Sequence, residues 1–138
     1  QSSSLHLNRT GNNGAVAKFF RDGTQVGRIT VDASSTSYVT SSDYRLKENV
    51  VELADGITRV KQLAPKRFNF IVDADTTVDG FLAHEAQAVV PEAVTGERDG
   101  EEMQGIDQSK LVPLLTAALQ EAIAKIETLE QRLTDAGL

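Results

Sequence analysis

The C-terminal segment of the chain carries a heptad repeat, which constrains the fold more than any other feature of the sequence. Apolar side chains recur there at alternating steps of three and four residues, the pattern of a helix that packs against other helices. We call these positions the seam: Val112, Leu115, Leu119, Ala122, Ile126, Leu129, Leu133 and Ala136. They predict a helix over about 109–136 that forms a coiled coil.

The same segment also indicates where the helix begins and how many chains could form the coiled coil. Ser109 is predicted to cap the helix, which leaves Pro113 near the first turn, where proline is tolerated. Leu114, Ala118 and Ile123 lie beside the seam and widen the apolar surface. Leu and Ile at the core positions fit a trimer at least as well as a dimer. An amphipathic helix packed on its own domain would show a similar stripe, so the periodicity leaves that arrangement open.

The first 41 residues predict short β-strands separated by turns. The candidate strands are residues 5–7, 15–20 and 26–31, and the turns rich in Gly, Asn and Asp are 11–14 and 21–24. A segment with so little apolar area is not expected to be stable alone, and identical chains are its simplest partners. Residues 32–42 are rich in Ser and Thr and are predicted to form an exposed connection.

Beyond this connection the pattern changes to mixed helices and strands, so the predicted fold class is α+β. The predicted elements are a helix over roughly 57–63 capped by Asp55, a strand over 67–72, a turn at 79–80, a helix near 84–90 closed by Pro91, and an exposed loop or hairpin over 95–105. The change of pattern suggests that two different parts are joined near residue 41.

The distribution of charge excludes some partners. Residues 42–138 hold eighteen of the twenty acidic side chains, whereas residues 1–41 have a small net positive charge. An acidic module is a poor ligand for phosphate backbones, which need clustered Lys and Arg. No apolar run approaches the roughly 18 residues needed to cross a bilayer. We therefore expect neither nucleic acid nor a membrane as a partner.

The sequence shows no convincing metal-binding site and no convincing site for glycan hydrolysis. There is no Cys, and His6 and His84 are too far apart along the chain to suggest a metal site. The acidic group of Glu97, Asp99, Glu101 and Glu102 has no calcium-loop spacing and is predicted to be a solvated turn. Glu85 and Glu92 can be imagined as paired acids, but so small a chain shows no sugar-binding cleft. We expect no metal and no cofactor.

The most specific pattern starts at Ser42 and reads Ser-Asp-x-Arg-Leu-Lys-Glu-Asn. Further motifs follow in order at residues 55–57, 63–70, 80–85, 90–94 and 111–121. Together they resemble the intramolecular chaperone domain of endosialidases and related phage tail spikes (peptidase family S74). The resemblance covers nearly all of residues 42–138. His84 departs from the pattern, since members often carry Gln there, with no expected effect on the chemistry.

The resemblance implies an architecture and a function. Residues 1–41 would be the end of a trimeric β-rich tail spike or fibre stalk with its linker, and residues 42–138 a chaperone domain ending in a trimeric coiled coil. In this family the domain helps three chains fold and align their stalk, and it is then released by cleavage at its own first residue. The implied partners are a homotrimer and the upstream stalk as folding client. Assembly would take place in the host cytoplasm, and the upstream part would remain in the virion tail.

Carried over to this sequence, the resemblance assigns the cleavage site. The cut falls between Ser41 and Ser42, Ser42 is the nucleophile, Lys47 is its partner, and Asp43 and Arg45 support the site. Ser41 is the competing nucleophile, although it lies one position too far from Lys47 for the family spacing. Whether the pair forms within one chain or between chains stays open.

A serine–lysine pair also makes chemical sense from its residue types. A serine hydroxyl is a weak nucleophile and needs a base, whereas a free lysine with a pKa of about 10.4 is protonated at neutral pH. Lowering that value to roughly 7–8 takes on the order of 4 kcal/mol from burial and nearby positive charge. Arg45 would share a face with Lys47 on an extended strand, and its positive charge would supply part of this lowering of the lysine pKa. Cleavage is therefore expected to wait for folding and assembly.

Three alternatives stay open at this level. The first is that Ser42 and Asp43 only cap the start of a domain, and that Arg45 and Lys47 are ordinary solvent-exposed side chains there. The domain can be a permanent trimerisation tip that never cuts. The same domain also releases a membrane-tethered transcription factor in the myelin regulatory factor group, although this sequence shows neither a basic DNA-binding segment nor a membrane span.

Overall fold

The computed structural model describes residues 5–137. They divide into two compact units, one ending at Val50 and the other beginning at Val51. The functional boundary predicted between residues 41 and 42 lies inside the first unit and stays a prediction. The mixed α+β class is confirmed, since the described residues contain small antiparallel sheets and a long C-terminal helix.

The first unit contains a three-stranded antiparallel sheet. Its strands are β1 (Gly14–Arg21), β2 (Thr24–Val31) and β3 (Thr36–Thr40), with β2 in the middle. The predicted strands at 15–20 and 26–31 are thus confirmed. The prediction for residues 5–7 is wrong, because they pair with no strand in the described part of the chain.

The connection predicted at 32–42 is also wrong in part, because it contains β3. Asp32 accepts hydrogen bonds from the backbone N–H groups of Ser34 and Ser35, both at 2.8 Å, and so builds a tight turn. These bonds, with that of Ser34 contributing most, lower the pKa of the Asp32 carboxyl. The turn reverses the chain and lays the following residues antiparallel to β2. A Ser/Thr-rich stretch thus supplies both a turn and an edge strand.

The second unit combines two hairpins with three helices. The elements are α1 (Gly56–Val60), β4 (Lys66–Phe70), β5 (Asp73–Gly80), α2 (Ala83–Gln87), β6 (Val94–Thr95), β7 (Gly105–Ile106) and α3 (Val112–Asp135). The predicted hairpin around 95–105 and both short helices are confirmed, although each helix is shorter than predicted. The turn predicted at 79–80 is wrong, because Asp79 and Gly80 pair with β4 as the end of β5. The hairpin turns at residues 71–72 instead, so the strand predicted over 67–72 ends at Phe70.

The long C-terminal helix agrees with the periodicity. Helix α3 is preceded by a 3-10 turn (Gln108–Leu111), and Pro113 lies in its first turn as predicted. The predicted cap at Ser109 is wrong, because α3 begins after Leu111, which makes no side-chain capping bond. Asp107 caps the 3-10 turn before it and accepts a 3.0 Å hydrogen bond from the Ser109 N–H. The hydrogen bonds from Ser109 lower the pKa of the Asp107 carboxyl.

One face of α3 closes the core of the second unit. The core side chains are Ala86, Val90, Ala93, Val94, Leu111 and Leu114. Leu114 is 2% exposed and Ala118 is also buried, so neither widens the seam as predicted. The side chains of Leu114 and Ala118 face the second unit, whereas the seam lies on another side of the same helix.

Helices α1 and α3 touch at Gly56. A Cβ at this residue would lie 2.7 Å from the carbonyl carbon of Ala117, closer than any real contact. Glu121 of α3 accepts hydrogen bonds from the N–H groups of Gly56 (2.6 Å) and Ile57 (3.3 Å). The α3 carboxylate thereby caps α1, which explains why the side chain of Asp55 makes no capping bond there.

We expect Gly56→Ala to lower the free energy of unfolding by about 2–3 kcal/mol, because the added methyl group meets rigid backbone. Urea denaturation measures this value. Gly105→Ala is the control, since its new methyl group meets only the Thr95 hydroxyl, at 3.1 Å, and that side chain can rotate. A Gly56→Ala variant as stable as the control would contradict the close packing of these helices.

Candidate functional site

A single tight turn forms the centre of the candidate site. Residues Tyr44–Leu46 make a 3-10 turn directly after Asp43, and the N–H of Lys47 donates to the carbonyl of Tyr44 at 3.1 Å. The turn reverses the chain within a few residues. It therefore brings the side chain of Lys47 back to Ser42, five positions earlier.

The Lys47 amine and the Ser42 hydroxyl are in direct contact. Lys47 Nζ lies 2.9 Å from Ser42 Oγ and 3.2 Å from the Ser42 carbonyl oxygen. Both groups belong to the same chain. A base must lie about 2.6–3.2 Å from the proton donor that it serves, so this distance suits proton transfer from the hydroxyl to a neutral amine.

Asp43 and Arg45 hold the turn together. The Asp43 carboxylate accepts from the Arg45 backbone N–H at 2.9 Å, from its Nε at 2.9 Å and from its terminal nitrogen at 2.8 Å. The side-chain bond of Arg45 is the main cause that lowers the pKa of the Asp43 carboxyl, and the same bond raises the pKa of Arg45. The Arg45 side chain is largely open to water and that of Asp43 partly so, and therefore the pair orders the turn more than it stabilises the fold.

This pairing corrects the role predicted for Arg45. The turn conformation removes the extended strand on which Arg45 and Lys47 were to share a face. The guanidinium faces the carboxylate of Asp43, which neutralises its charge. Arg45 therefore offers no uncompensated positive charge beside Lys47.

The segment around the pair is open to water in the single chain. Every residue from Ser41 to Val50 is exposed, including apolar side chains: Tyr44 is 81% exposed and Val50 79%. The single chain therefore leaves the contact between Lys47 and Ser42 open to water.

The residue before the pair is attached to the sheet. The Ser41 N–H donates to the carbonyl of Val26 at 3.2 Å, and its hydroxyl donates to the carbonyl of Gln25 at 3.2 Å. Residues 25 and 26 were not predicted as part of the site. Their contribution comes from main-chain carbonyls, which no pattern of residue types can reveal.

The seam forms an exposed apolar face on α3. Leu119 is 62% exposed and Ile126 54%, and Leu115, Leu129 and Leu133 are about equally open. Ala122 is half-buried. These side chains lie on a different face from Leu114 and Ala118, so the helix can pack on its own unit and still present the seam.

The two acidic candidates for glycan hydrolysis each pair with a basic side chain. Glu85 pairs with Lys66 at 3.3 Å, and Glu92 approaches Arg59 at 3.9 Å, so each acid faces its own cation. Within residues 5–137, no three side chains of His, Asp or Glu come together as a metal site would require. Across the same residues, no helix has the length and apolar character needed to cross a membrane.

Comparison with known proteins gives two findings. A family model described as chaperone of endosialidase (peptidase S74) matches residues 42–95, and its match begins at Ser42. The chain is also similar to a probable tail fiber protein of Escherichia phage Phieco32, with 29% identity over 113 residues. That similarity covers 75% of this chain and 16% of the relative, so the chain spans only a small part of its relative's length. The family resemblance predicted from the motifs is confirmed over residues 42–95.

Proposed function

Because residues 42–95 match the model of the endosialidase chaperone family, we propose that this chain joins part of a phage tail fibre to a self-releasing chaperone domain. Residues 42–138 promote the folding and trimerisation of the upstream β-rich stalk. They then leave by cutting the bond between Ser41 and Ser42. The contact of 2.9 Å between Lys47 Nζ and Ser42 Oγ carries this proposal. The similarity to a tail fiber protein supports the nature of the folding client.

The cleavage can follow two balanced routes. In the first, neutral Lys47 takes the proton of the Ser42 hydroxyl, and Oγ attacks the Ser41 carbonyl carbon. The C–N bond breaks, its nitrogen takes the proton, and water then hydrolyses the ester to a Ser41 carboxylate and the free hydroxyl. In the second, the pair activates a water molecule that attacks the same carbon directly. Both routes consume one water and need a Lys47 amine without its proton.

Assembly supplies the condition for this proton loss. Removal from water disfavours the charged form of lysine. In this proposal, assembly of three chains covers the segment from Ser41 to Val50, which is exposed in the single chain. The cut therefore takes place only after correct assembly, and a cut chain indicates that assembly has been completed. Assembly takes place in the host cytoplasm, and the upstream part remains in the virion tail.

The decisive experiment is intact mass spectrometry of the freshly expressed chain, together with size measurement in solution. We expect two fragments, one ending at Ser41 and one beginning at Ser42, from a trimeric precursor. A permanent trimerisation tip would instead give the full-length mass in a stable trimer. That result would refute the self-release while leaving the structural role in place.

A further inference from the structure

We propose that β3 is the bound substrate strand of the cleavage site, held on β2 while the bond after Ser41 is cut. This inference rests on the proposed self-cleavage and adds the element that positions the carbonyl under attack. It makes Ser41 a positioning residue and the sheet of the first unit the substrate-binding part of the site.

The pairing of β3 with β2 runs up to the bond that is cut. The register is antiparallel from Val31 opposite Thr36 to Gly27 opposite Thr40. The Ser41 N–H then extends the ladder to the carbonyl of Val26, and the Ser41 hydroxyl adds a bond to the carbonyl of Gln25. The residue that carries the carbonyl under attack is thus held at two points, in the way that an added strand is held on a sheet edge.

The chain on the other side of the bond is held as well. Asp43 accepts from the Arg45 N–H and its guanidinium, and this closed turn contains the contact between Lys47 and Ser42. The bond to be cut therefore spans two ordered elements, the end of a sheet and the start of a turn. Holding an electrophile and a nucleophile in fixed positions removes much of the entropy cost of their reaction.

Gly27 allows the end of β3 to come close to β2. A Cβ at this position would lie 3.2 Å from the carbonyl oxygen of Val39 and 3.8 Å from the ring of Phe19. A larger residue would push against β3 just before the residues that lead to the cut.

The position of the cut leaves the sheet complete. All three strands of the sheet precede Ser41, so the upstream product keeps its last strand paired up to its new carboxyl terminus. Ser42 and Lys47 leave with the other fragment. Because the Ser41 carbonyl and the Ser42 hydroxyl end up on different fragments, each chain can react only once.

A disulfide across β2 and β3 tests whether the strand stays in place during cleavage. The natural chain has no Cys, so Arg28→Cys with Val39→Cys, which are direct partners in the register, introduces a single possible bridge. The full chain is synthesised in a cell-free system in oxidising or reducing buffer, and cleavage is followed by mass spectrometry. We expect oxidised and reduced chains to be cut at rates within about twofold of each other.

The opposite result would overturn the proposal: an oxidised chain that stays uncut and is cut after addition of reductant shows that β3 must leave the sheet. Cutting of the natural chain serves as the reference in both buffers. If the natural chain itself stays intact, the proposed self-cleavage fails, which is a different outcome from a bridge that blocks a natural cut.

Variants at Ser41 test the positioning role directly. Ser41→Ala removes the bond to the Gln25 carbonyl and is expected to slow cleavage about fivefold, the equivalent of roughly 1 kcal/mol. Ser41→Thr keeps a hydroxyl and should restore the rate to within about twofold of the natural chain. Ser37→Ala makes the same change four residues earlier on the same strand and should not slow the cut. A Ser41→Ala chain cut at the natural rate, or a Thr variant as slow as Ala, would refute the role.

Discussion

Replacing Lys47 by methionine should stop the cut after Ser41, with a rate lower by about 10²–10⁴-fold, because a positioned base contributes a factor of this size. Methionine has a similar unbranched length but no group that accepts a proton. Ser42→Ala should have an effect at least as large, since it removes the attacking hydroxyl in one route and the partner of Lys47 in both. A time course of intact mass on the assembled protein measures both rates.

Two controls sharpen this experiment. Lys47→Arg keeps the positive charge near Ser42, but a guanidinium does not lose its proton, so this variant should also stay uncut. Size-exclusion chromatography with light scattering should show that all three variants still assemble, which separates chemistry from folding. Natural cutting in the methionine variant would show that Lys47 is not the base.

Mixed oligomers test whether Ser42 and the Lys47 that serves it belong to the same chain or to neighbouring chains. The 2.9 Å contact lies within one chain, so chains with Ser42→Ala and chains with Lys47→Met should not rescue each other when they are produced together. Cutting of the Lys47→Met chains in such mixtures would show that the amine comes from a neighbouring chain.

Placing two aspartates in the seam should give monomers that are not cut. Leu119→Asp and Ile126→Asp put charges where the coiled coil needs apolar side chains, and unpaired charges are costly to bury. Both residues are more than half exposed in the single chain, so the fold of the second unit should survive. Because an unassembled chain leaves Lys47 in water, we expect cleavage to fall by more than about 10²-fold, the lower range for loss of a base. Light scattering and intact mass measure the two effects on one sample.

The matched control changes the same helix outside the seam. Ala124→Asp and Gln131→Asp lie seven residues apart, as the seam pair does, on the exposed side of α3. This double variant should assemble and cut as the natural chain does. Full-rate cutting by seam monomers would refute the link between assembly and cleavage, whereas trimers of the seam variant would refute the role of the seam.

Local patterns in the sequence determined much of this protein. The heptad spacing predicted α3, because the period of a helix is visible in one segment without knowledge of its surroundings. The Gly- and Asp-containing turn at 21–24 predicted the hairpin of β1 and β2, and there Asp22 and Gly23 both take positive φ. The five-residue spacing from Ser42 to Lys47 was readable as well, since a single short turn brings the two together.

The tertiary structure decided what depends on distant partners. Residues 36–40 became a strand only because β2 offers a free edge, and Ser41 is held by carbonyls sixteen and fifteen residues earlier in the chain. Glu121 caps α1 from 65 residues away, in place of the adjacent Asp55. Leu114 and Ala118 turned toward their own unit, although the linear pattern placed them beside the seam. Helical and turn periods are local properties of a chain, whereas strand pairing, capping between helices and the choice of a buried face depend on which surfaces meet in space.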